Sequence, residues 1–219
     1  MKGDHSLTLL DRFYIRYLRD EESAGFIAAV ANHYTVGTLE RVVKCGSNLS
    51  RRGAVLALGF IGPFGCNHVL GRALRDPDRA VRLLAENAIR EVWFRDGSES
   101  HRQQLAIVAR LNGAEQFREA SDLATQLIDE APQFAEFWNQ RAIALFQLRR
   151  FKEAANDCHQ TLELNPCHFG AAVGMAHCYL ELGEGFAALD YFRRAFDINP
   201  NLVAVKGQIA YLQRALDEN

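Results

Sequence analysis

A strictly periodic repeat runs through the C-terminal half of the chain, in which alanine and proline recur at a constant period of 34. A strict period of this length is typical of a solenoid, in which each unit buries its apolar face against the next. Almost every segment has apolar residues at three- and four-residue spacing, and no alternating strand pattern is found. The sequence therefore predicts an all-α fold, a right-handed α-solenoid of antiparallel helix pairs. The repeated residues are Ala120, Ala154 and Ala188, with Pro132, Pro166 and Pro200.

Thirteen helices are predicted from this spacing and from residues that begin or end helices. Asp78 and Ser98 are expected to cap the helices that follow them, and the Asn112–Gly113 and Leu182–Gly183 pairs are expected to end helices. The predicted helices are 7–19, 21–33, 36–45, 49–60, 65–75, 78–95, 99–111, 115–130, 134–148, 151–164, 168–182, 185–198 and 202–217.

Charge and composition argue against several classes of protein. The net charge of −2 does not suit a strongly basic nucleic-acid binder, and no stretch of 18 apolar residues could span a membrane. No secretory signal is recognised at the N-terminus, and the five cysteines form no disulfide-like framework. We therefore expect a cytoplasmic protein with reduced thiols and no membrane partner.

Small and large residues occupy fixed positions between residues 101 and 200. If the repeats begin at His101, Ala135 and Phe169, position 8 holds Val108, Ala142 and Ala176, and position 20 holds the three repeated alanines. Small side chains at these positions let the two helices of a hairpin approach closely. This pattern resembles the tetratricopeptide repeat (TPR) family. The resemblance implies about three repeats in a domain at 98–219, with residues 202–217 as a capping helix.

The resemblance also implies a concave groove lined by the first helices of the repeats. An extended peptide or a partner helix would suit it, and the Asn139 amide is placed to hold a bound backbone. The alternative is a groove left unoccupied or filled by the chain's own terminus. The implied groove residues are Arg102, Leu105, Ala109, Asn112 and Gly113 in the first repeat, Glu136, Asn139, Ile143, Phe146 and Gln147 in the second, and Gly170, Val173, His177, Leu180 and Glu181 in the third.

One TPR subfamily binds the C-terminal carboxylate of chaperones through lysine, asparagine and arginine side chains. The matching positions in this chain hold Leu105, Ala109, Gln140, Gly170 and Gly174, which include no cation. The sequence therefore predicts that this carboxylate clamp is absent.

One charge pair distinguishes the second repeat. Position 7 is charged only at Arg141, and position 23 carries the opposite charge only at Asp157. We predict that the two form a buried ion pair across the hairpin. The alternative is two independent surface charges.

A second, different pattern lies in the N-terminal half. Arg51, Ala54, Ala57 and Leu58 recur at a constant shift of 31 as Arg82, Ala85, Ala88 and Ile89. This segment resembles the HEAT repeats of bilin-lyase-like proteins, which implies a HEAT-like domain at 1–97. In that family an arginine and an aspartate bond between successive units, and Ser47 stands where the earlier repeat needs the aspartate, so the ladder is expected to be incomplete.

Helix 7–19 is apolar on more than one face, which favours burial within the chain over contact with another molecule. The connection between the two halves is very short, so we expect helices 78–95 and 99–111 to pack together without a hinge.

Catalytic and phosphate-binding motifs are not recognised in the sequence. Cysteine and histidine are adjacent three times, at 158–159, 167–168 and 177–178, but the repeat register makes Cys158 and Cys178 packing residues rather than zinc ligands. We therefore predict a non-enzymatic adaptor without catalytic residues, metal or cofactor. The alternatives are an accessory subunit of an enzyme and, less favoured, a binder of nucleic-acid backbones.

Overall fold

The computed structural model describes residues 7–218, and within that range the fold consists of α-helices and one short 3-10 turn, with no strand. All thirteen predicted helices are present, which confirms the all-α class. Contacts divide the chain into an N-terminal unit, Met1–Val92, and a C-terminal unit, Trp93–Asn219. The helices are α1 (Leu9–Asp20), α2 (Ser23–His33), α3 (Val36–Cys45), α4 (Asn48–Ile61), α5 (Asn67–Ala73), α6 (Arg79–Trp93), α7 (Glu99–Gly113), α8 (Phe117–Glu130), α9 (Ala135–Gln147), α10 (Phe151–Leu164), α11 (Phe169–Glu181), α12 (Gly185–Ile198) and α13 (Val203–Asp217).

The C-terminal unit is a stack of helix hairpins. Each helix from α7 to α12 packs against the next helix in the chain, and α13 packs on α12. Ala120, Ala154 and Ala188 are all fully buried at 0% exposure. Their small side chains let the second helix of each hairpin approach the first, as the repeat period predicts.

The first helix of each hairpin ends in the same way. Glu115, Arg149 and Gly183 occupy the same position of successive repeats and all adopt the left-handed conformation, with φ of 60°, 60° and 78°. Glycine takes up this conformation without steric cost, whereas Glu115 and Arg149 are strained. Helix α7 ends at Gly113, as the Asn112–Gly113 pair predicts, but the left-handed residue of the turn is Glu115 and not the glycine.

The predicted Arg141–Asp157 ion pair is confirmed. Arg141 donates from Nε to Asp157 Oδ2 at 2.7 Å and from Nη2 to Oδ1 at 2.8 Å, a bidentate pair that links α9 to α10. The guanidinium also donates to Thr125 Oγ1 at 3.1 Å and lies 5.0 Å from the Trp138 ring centroid. Only 5% of the Asp157 side chain is exposed, so the pair is largely desolvated.

In the N-terminal unit, α4 occupies a central position. It packs against α1, α2 and α3, and Gly59 lies so close to α6 that an added Cβ would come within 2.9 Å of the Ala88 Cβ. The inward-facing residues predicted from the N-terminal repeat are buried, namely Ala54, Ala57, Leu58, Ala85, Ala88 and Ile89.

Two bidentate arginine pairs join α4 to the turn before α6. Arg51 binds Asp76 with both contacts at 2.8 Å, and Arg52 binds Asp78 at 3.1 and 2.6 Å. Asp78 also accepts from the backbone N–H groups of the first turn of α6, which confirms the predicted cap. At the earlier repeat, Ser47 caps α4 instead. These contacts resemble the expected ladder, and the HEAT-like assignment itself stays a prediction.

Helix α1 buries one apolar face and exposes another. Leu10 and Tyr14 are buried where α1 packs on α4 and α2. Leu9, Ile15 and Leu18 are between 41% and 56% exposed. Packing within the chain therefore buries only part of the apolar surface of α1.

Candidate peptide-binding groove

The first helices of the hairpins present equivalent faces in the C-terminal unit. Helices α9 and α11 bury positions 3 and 10 of their repeats, and α13 buries the same two positions through Val205 and Leu212. Because positions 9 and 12 lie beside the buried face, all three helices direct these positions to one side of the stack. Helix α13 therefore continues the surface that α9 and α11 begin.

The accessible part of this surface is apolar at its centre. Ile143 is 40% exposed, and Phe146, Val173, His177 and Leu180 are half-buried. The Phe146 ring lies between Phe151, with centroids 5.3 Å apart, and His177, with centroids 6.5 Å apart. Exposed apolar and aromatic side chains grouped in this way can bind apolar side chains of a ligand. We call these five residues, with the flanking Gln147 and Glu181, the groove floor.

His177 contributes an uncharged ring to the groove floor. Burial lowers the pKa of His177, and the nearby Glu181 carboxylate opposes this shift only in part. The ring also meets Phe192 nearly at right angles, with centroids 5.2 Å apart. His177 is therefore neutral at pH 7 and acts as a flat, weakly polar surface.

Three of the predicted groove residues are buried instead of open to a ligand. Leu105 is 0%, Glu136 2% and Asn139 9% exposed. Glu136 Oε1 accepts from Asn139 Nδ2 at 2.7 Å and from Gln140 Nε2 at 2.9 Å. The Asn139 amide predicted to hold a bound backbone is therefore used to hold the Glu136 carboxylate.

His168 completes this buried network. Its Nδ1 accepts from the backbone N–H of Ala171 at 2.9 Å, so the ring proton is on Nε2, which donates to Glu136 Oε2 at 3.0 Å. The Trp93 ring stacks on His168, with centroids 3.9 Å apart and planes 18° apart. Trp93 and this hydrogen-bonded network therefore bury the first turns of α9 and α11. The accessible groove floor lies on the later turns of the two helices.

Helix α7 adds little to the groove floor. Arg102 donates to Glu99 Oε2 at 2.5 Å and to the Gly97 carbonyl at 3.1 Å. Asn112 donates to the backbone and side-chain oxygens of Gln140, both at 3.0 Å. Ala109 is half-buried. The polar side chains of α7 therefore bond within the chain, and the first repeat mainly packs against α9.

Sequence reasoning missed Tyr211, an exposed aromatic residue on the α13 side of the groove. Tyr211 is 62% exposed and lies one further period after His177, at position 9 of a fourth helix in register. Extending the same count past Phe169 to Val203 would have found it. The prediction of residues 202–217 as a capping helix obscured this continuation.

Within residues 7–218, no group of three or more histidine, cysteine or carboxylate side chains could hold a metal ion. No helix of that range is long and apolar enough to cross a membrane.

Comparison with known proteins agrees with the repeat geometry. Residues 135–166, the second hairpin, match the family model described as tetratricopeptide repeat. A TPR repeat-containing protein of Rhizobium etli is 29% identical over 66% of this chain and 70% of its own length. DnaJ homolog subfamily C member 7 of Homo sapiens is 32% identical over 38% of this chain, but this match spans only 17% of that protein.

Solved structures show the same fold. The first TPR of Spaghetti (RPAP3), solved with an HSP90 peptide, is 21% identical with a TM-score of 0.53, over 55% of this chain and 96% of that one. The human RPAP3 first TPR domain has a TM-score of 0.50 at 22% identity, over 52% of this chain and 91% of that one. Residues 135–166 therefore match a tetratricopeptide repeat, as the sequence predicted, and the two solved domains share the helical fold of about half of the chain.

Proposed function

We propose that the protein is a non-enzymatic adaptor that binds a peptide or helix of a protein partner on the groove floor. The observation that carries the proposal is the group of accessible apolar side chains on α9 and α11, with Ile143 40% exposed beside the half-buried Phe146. Isolated exposed apolar residues are ordinary on protein surfaces, but a grouped set on neighbouring helices of successive repeats favours ligand binding.

The similar proteins and solved structures support binding of a protein partner without indicating which one. The RPAP3 domain was solved with an HSP90 peptide, which is a property of that protein. In this chain the positions of the carboxylate clamp hold no cation, so we propose a ligand held by apolar contacts rather than by a terminal carboxylate.

The N-terminal unit gives less support to nucleic-acid binding. Arg51 and Arg52 are both held in bidentate pairs with Asp76 and Asp78, so their charges are already compensated within the unit. A backbone-binding surface needs arginines and lysines directed at phosphates. No arrangement in the described residues specifically favours the accessory-subunit alternative.

The proposal is tested by recovering partners from source-cell lysate on the immobilised protein. Ile143→Glu introduces a charge at an exposed position of the groove floor, so folding should be preserved while apolar ligands are repelled. The matched control is Phe186→Ala, which removes a 71% exposed aromatic residue from α12. The proposal requires that Ile143→Glu loses partners that Phe186→Ala retains. Equal recovery by both variants and the unaltered protein would contradict it.

A further inference from the structure

Two cysteine thiols meet at the junction between the second and third hairpins. Cys158 lies on α10 and Cys178 on α11, two helices that pack directly on each other, and the two side chains share a hydrogen bond. Both residues are buried, with exposures of 3% and 1%. Both are free cysteines, so they form a reduced dithiol inside the C-terminal unit.

The backbone of α11 leaves room for the two sulfur atoms to meet. Gly174 lies one turn before Cys178, and a Cβ added to this glycine would come within 3.1 Å of Cys158 Sγ. Cys158 Sγ therefore occupies the space that a side chain at position 174 would need. Because helical side chains lean towards the N-terminus of their helix, the Cys178 thiol lies over the same turn. The two side chains therefore converge, as the geometry of a disulfide requires.

Packing alone does not account for cysteine at both of these positions. One repeat earlier, the equivalent residues are Ala124 on α8 and Ala144 on α9, which are both 0% exposed in one apolar cluster. That junction is filled without sulfur, and a free cysteine packs there as a small hydrophobe would. What the cysteine pair adds to the later junction is therefore thiol chemistry.

The hydrogen bond makes the two thiols unequal. The Cys158 thiol donates to the Cys178 sulfur, which lowers the pKa of Cys178, while burial opposes this shift. The same hydrogen bond, together with burial, raises the pKa of Cys158. Because the thiolate is the form that attacks an oxidant, Cys178 reacts first and Cys158 keeps its proton for a second step.

We propose that Cys158 and Cys178 form an oxidation site, at which a hydroperoxide converts the two thiols into a disulfide that joins α10 to α11. With hydrogen peroxide, the Cys178 sulfur attacks one oxygen, the S–O bond forms and the O–O bond breaks. The second oxygen takes up the Cys178 proton and leaves as water, which gives a sulfenic acid.

The second step closes the disulfide. Cys158 Sγ attacks the sulfenic sulfur, the S–S bond forms, and the hydroxyl group leaves as water with the Cys158 proton. In total the two thiols lose two electrons and two protons, and one peroxide becomes two waters. The new bond holds α10 against α11 directly behind His177 of the groove floor.

Burial sets the rate at which the site reacts. A peroxide reaches the pair only when the junction between α10 and α11 opens locally, so Cys158 and Cys178 react more slowly than the exposed Cys45. The test therefore starts from a full-length chain that carries Cys45→Ser and Cys167→Ser, which removes the exposed and the half-buried thiol and keeps the pair.

Counting free thiols by intact mass tests the proposal. The reduced protein is treated with hydrogen peroxide while folded, then unfolded in N-ethylmaleimide and weighed. We expect two fewer alkylated thiols than in the untreated protein, a mass that remains that of a monomer, and full recovery with dithiothreitol. Peptide mapping should find the cross-link between the peptides that contain Cys158 and Cys178.

Single variants assign the order of reaction. Cys158→Ala and Cys178→Ala each introduce the alanine of the preceding junction, so both should fold, which circular dichroism checks. Neither variant should form the cross-link. Cys158→Ala should gain oxygen on Cys178, whereas Cys178→Ala should be oxidised at Cys158 about tenfold more slowly, because that thiol has the raised pKa.

Three results would overturn the inference. The site is wrong if both thiols of the folded protein remain open to alkylation after a peroxide treatment that fully oxidises Cys45 of the unaltered chain. It is also wrong if the cross-link forms only in denaturant, or if sulfinic acid accumulates without a cross-link. Because no ligand takes part, none of these results bears on the proposed groove function.

Discussion

Arg141 and Asp157 form the most deeply buried arginine–aspartate pair in the described part of the C-terminal unit, and removing one partner should be costly. Asp157 is 5% and Arg141 19% exposed at the side chain. Burial raises the pKa of the Asp157 carboxyl, and the hydrogen bonds from Arg141 oppose this rise. Asp157→Asn would leave a poorly solvated guanidinium facing an amide that offers only one acceptor.

The expected loss follows from these exposures. Breaking a fully buried pair by removing one partner costs about 3–5 kcal/mol. Because Arg141 retains some contact with water and its bond to Thr125, we expect about 2–3 kcal/mol for Asp157→Asn. Chemical denaturation should measure this loss, together with a Tm lower by roughly 4–12 °C.

A matched control and a double variant make the prediction specific. Asp190→Asn removes a 75% exposed carboxylate whose contact with Arg193 is 3.5 Å, and it should change stability by less than about 0.5 kcal/mol. Combining Arg141→Met with Asp157→Leu should recover most of the loss, because no unpaired charge remains. If Asp157→Asn is as mild as Asp190→Asn, the reasoning about desolvation is wrong.

Three further predictions concern packing, pH and backbone strain. Ala154→Phe should destabilise the protein by about 1–3 kcal/mol or more in urea denaturation, because Ala154 is 0% exposed in a tight hairpin; a neutral effect would contradict the repeat register. The bonds from Arg52 lower the pKa of Asp78 to about 2, so about 2 kcal/mol of stability should be present above pH 4 and lost as the pH falls towards 2. Asp78→Asn should remove this pH dependence of stability. If the variant loses stability with falling pH as the unaltered protein does, Asp78 is not its source. Glu115→Gly should raise stability by about 0.5–1 kcal/mol, because φ is 60° there and the third repeat already has glycine at that position; a lower Tm would count against strain at this turn.

The sequence predicted those features that follow from local spacing. The alanines at 120, 154 and 188 specify where helices must approach closely, and they are buried as expected. The Arg141–Asp157 pair was predictable because opposite charges replaced apolar residues at two positions that face each other in the hairpin. In both cases the prediction comes from comparing equivalent positions of successive repeats within this one chain.

The groove was harder to predict because its exposure depends on residues far apart in the chain. Glu136 is buried because His168, which caps the next hairpin at the start of α11, hydrogen-bonds to it and Trp93 stacks on His168. Neither contact follows from the repeat pattern, which places Glu136 on a ligand-facing position. The arginine pairs between α4 and the turn before α6 likewise join residues that are distant in sequence.

The most direct test of the central claim is site-specific photo-crosslinking of the groove floor. A photoreactive phenylalanine analogue is placed at Ile143 in one variant and at Phe186 in another, and each is irradiated in source-cell lysate. The account predicts that partner adducts form from position 143 and that they are absent from position 186. Adducts from position 186 alone would move the binding surface away from the groove floor and contradict the account.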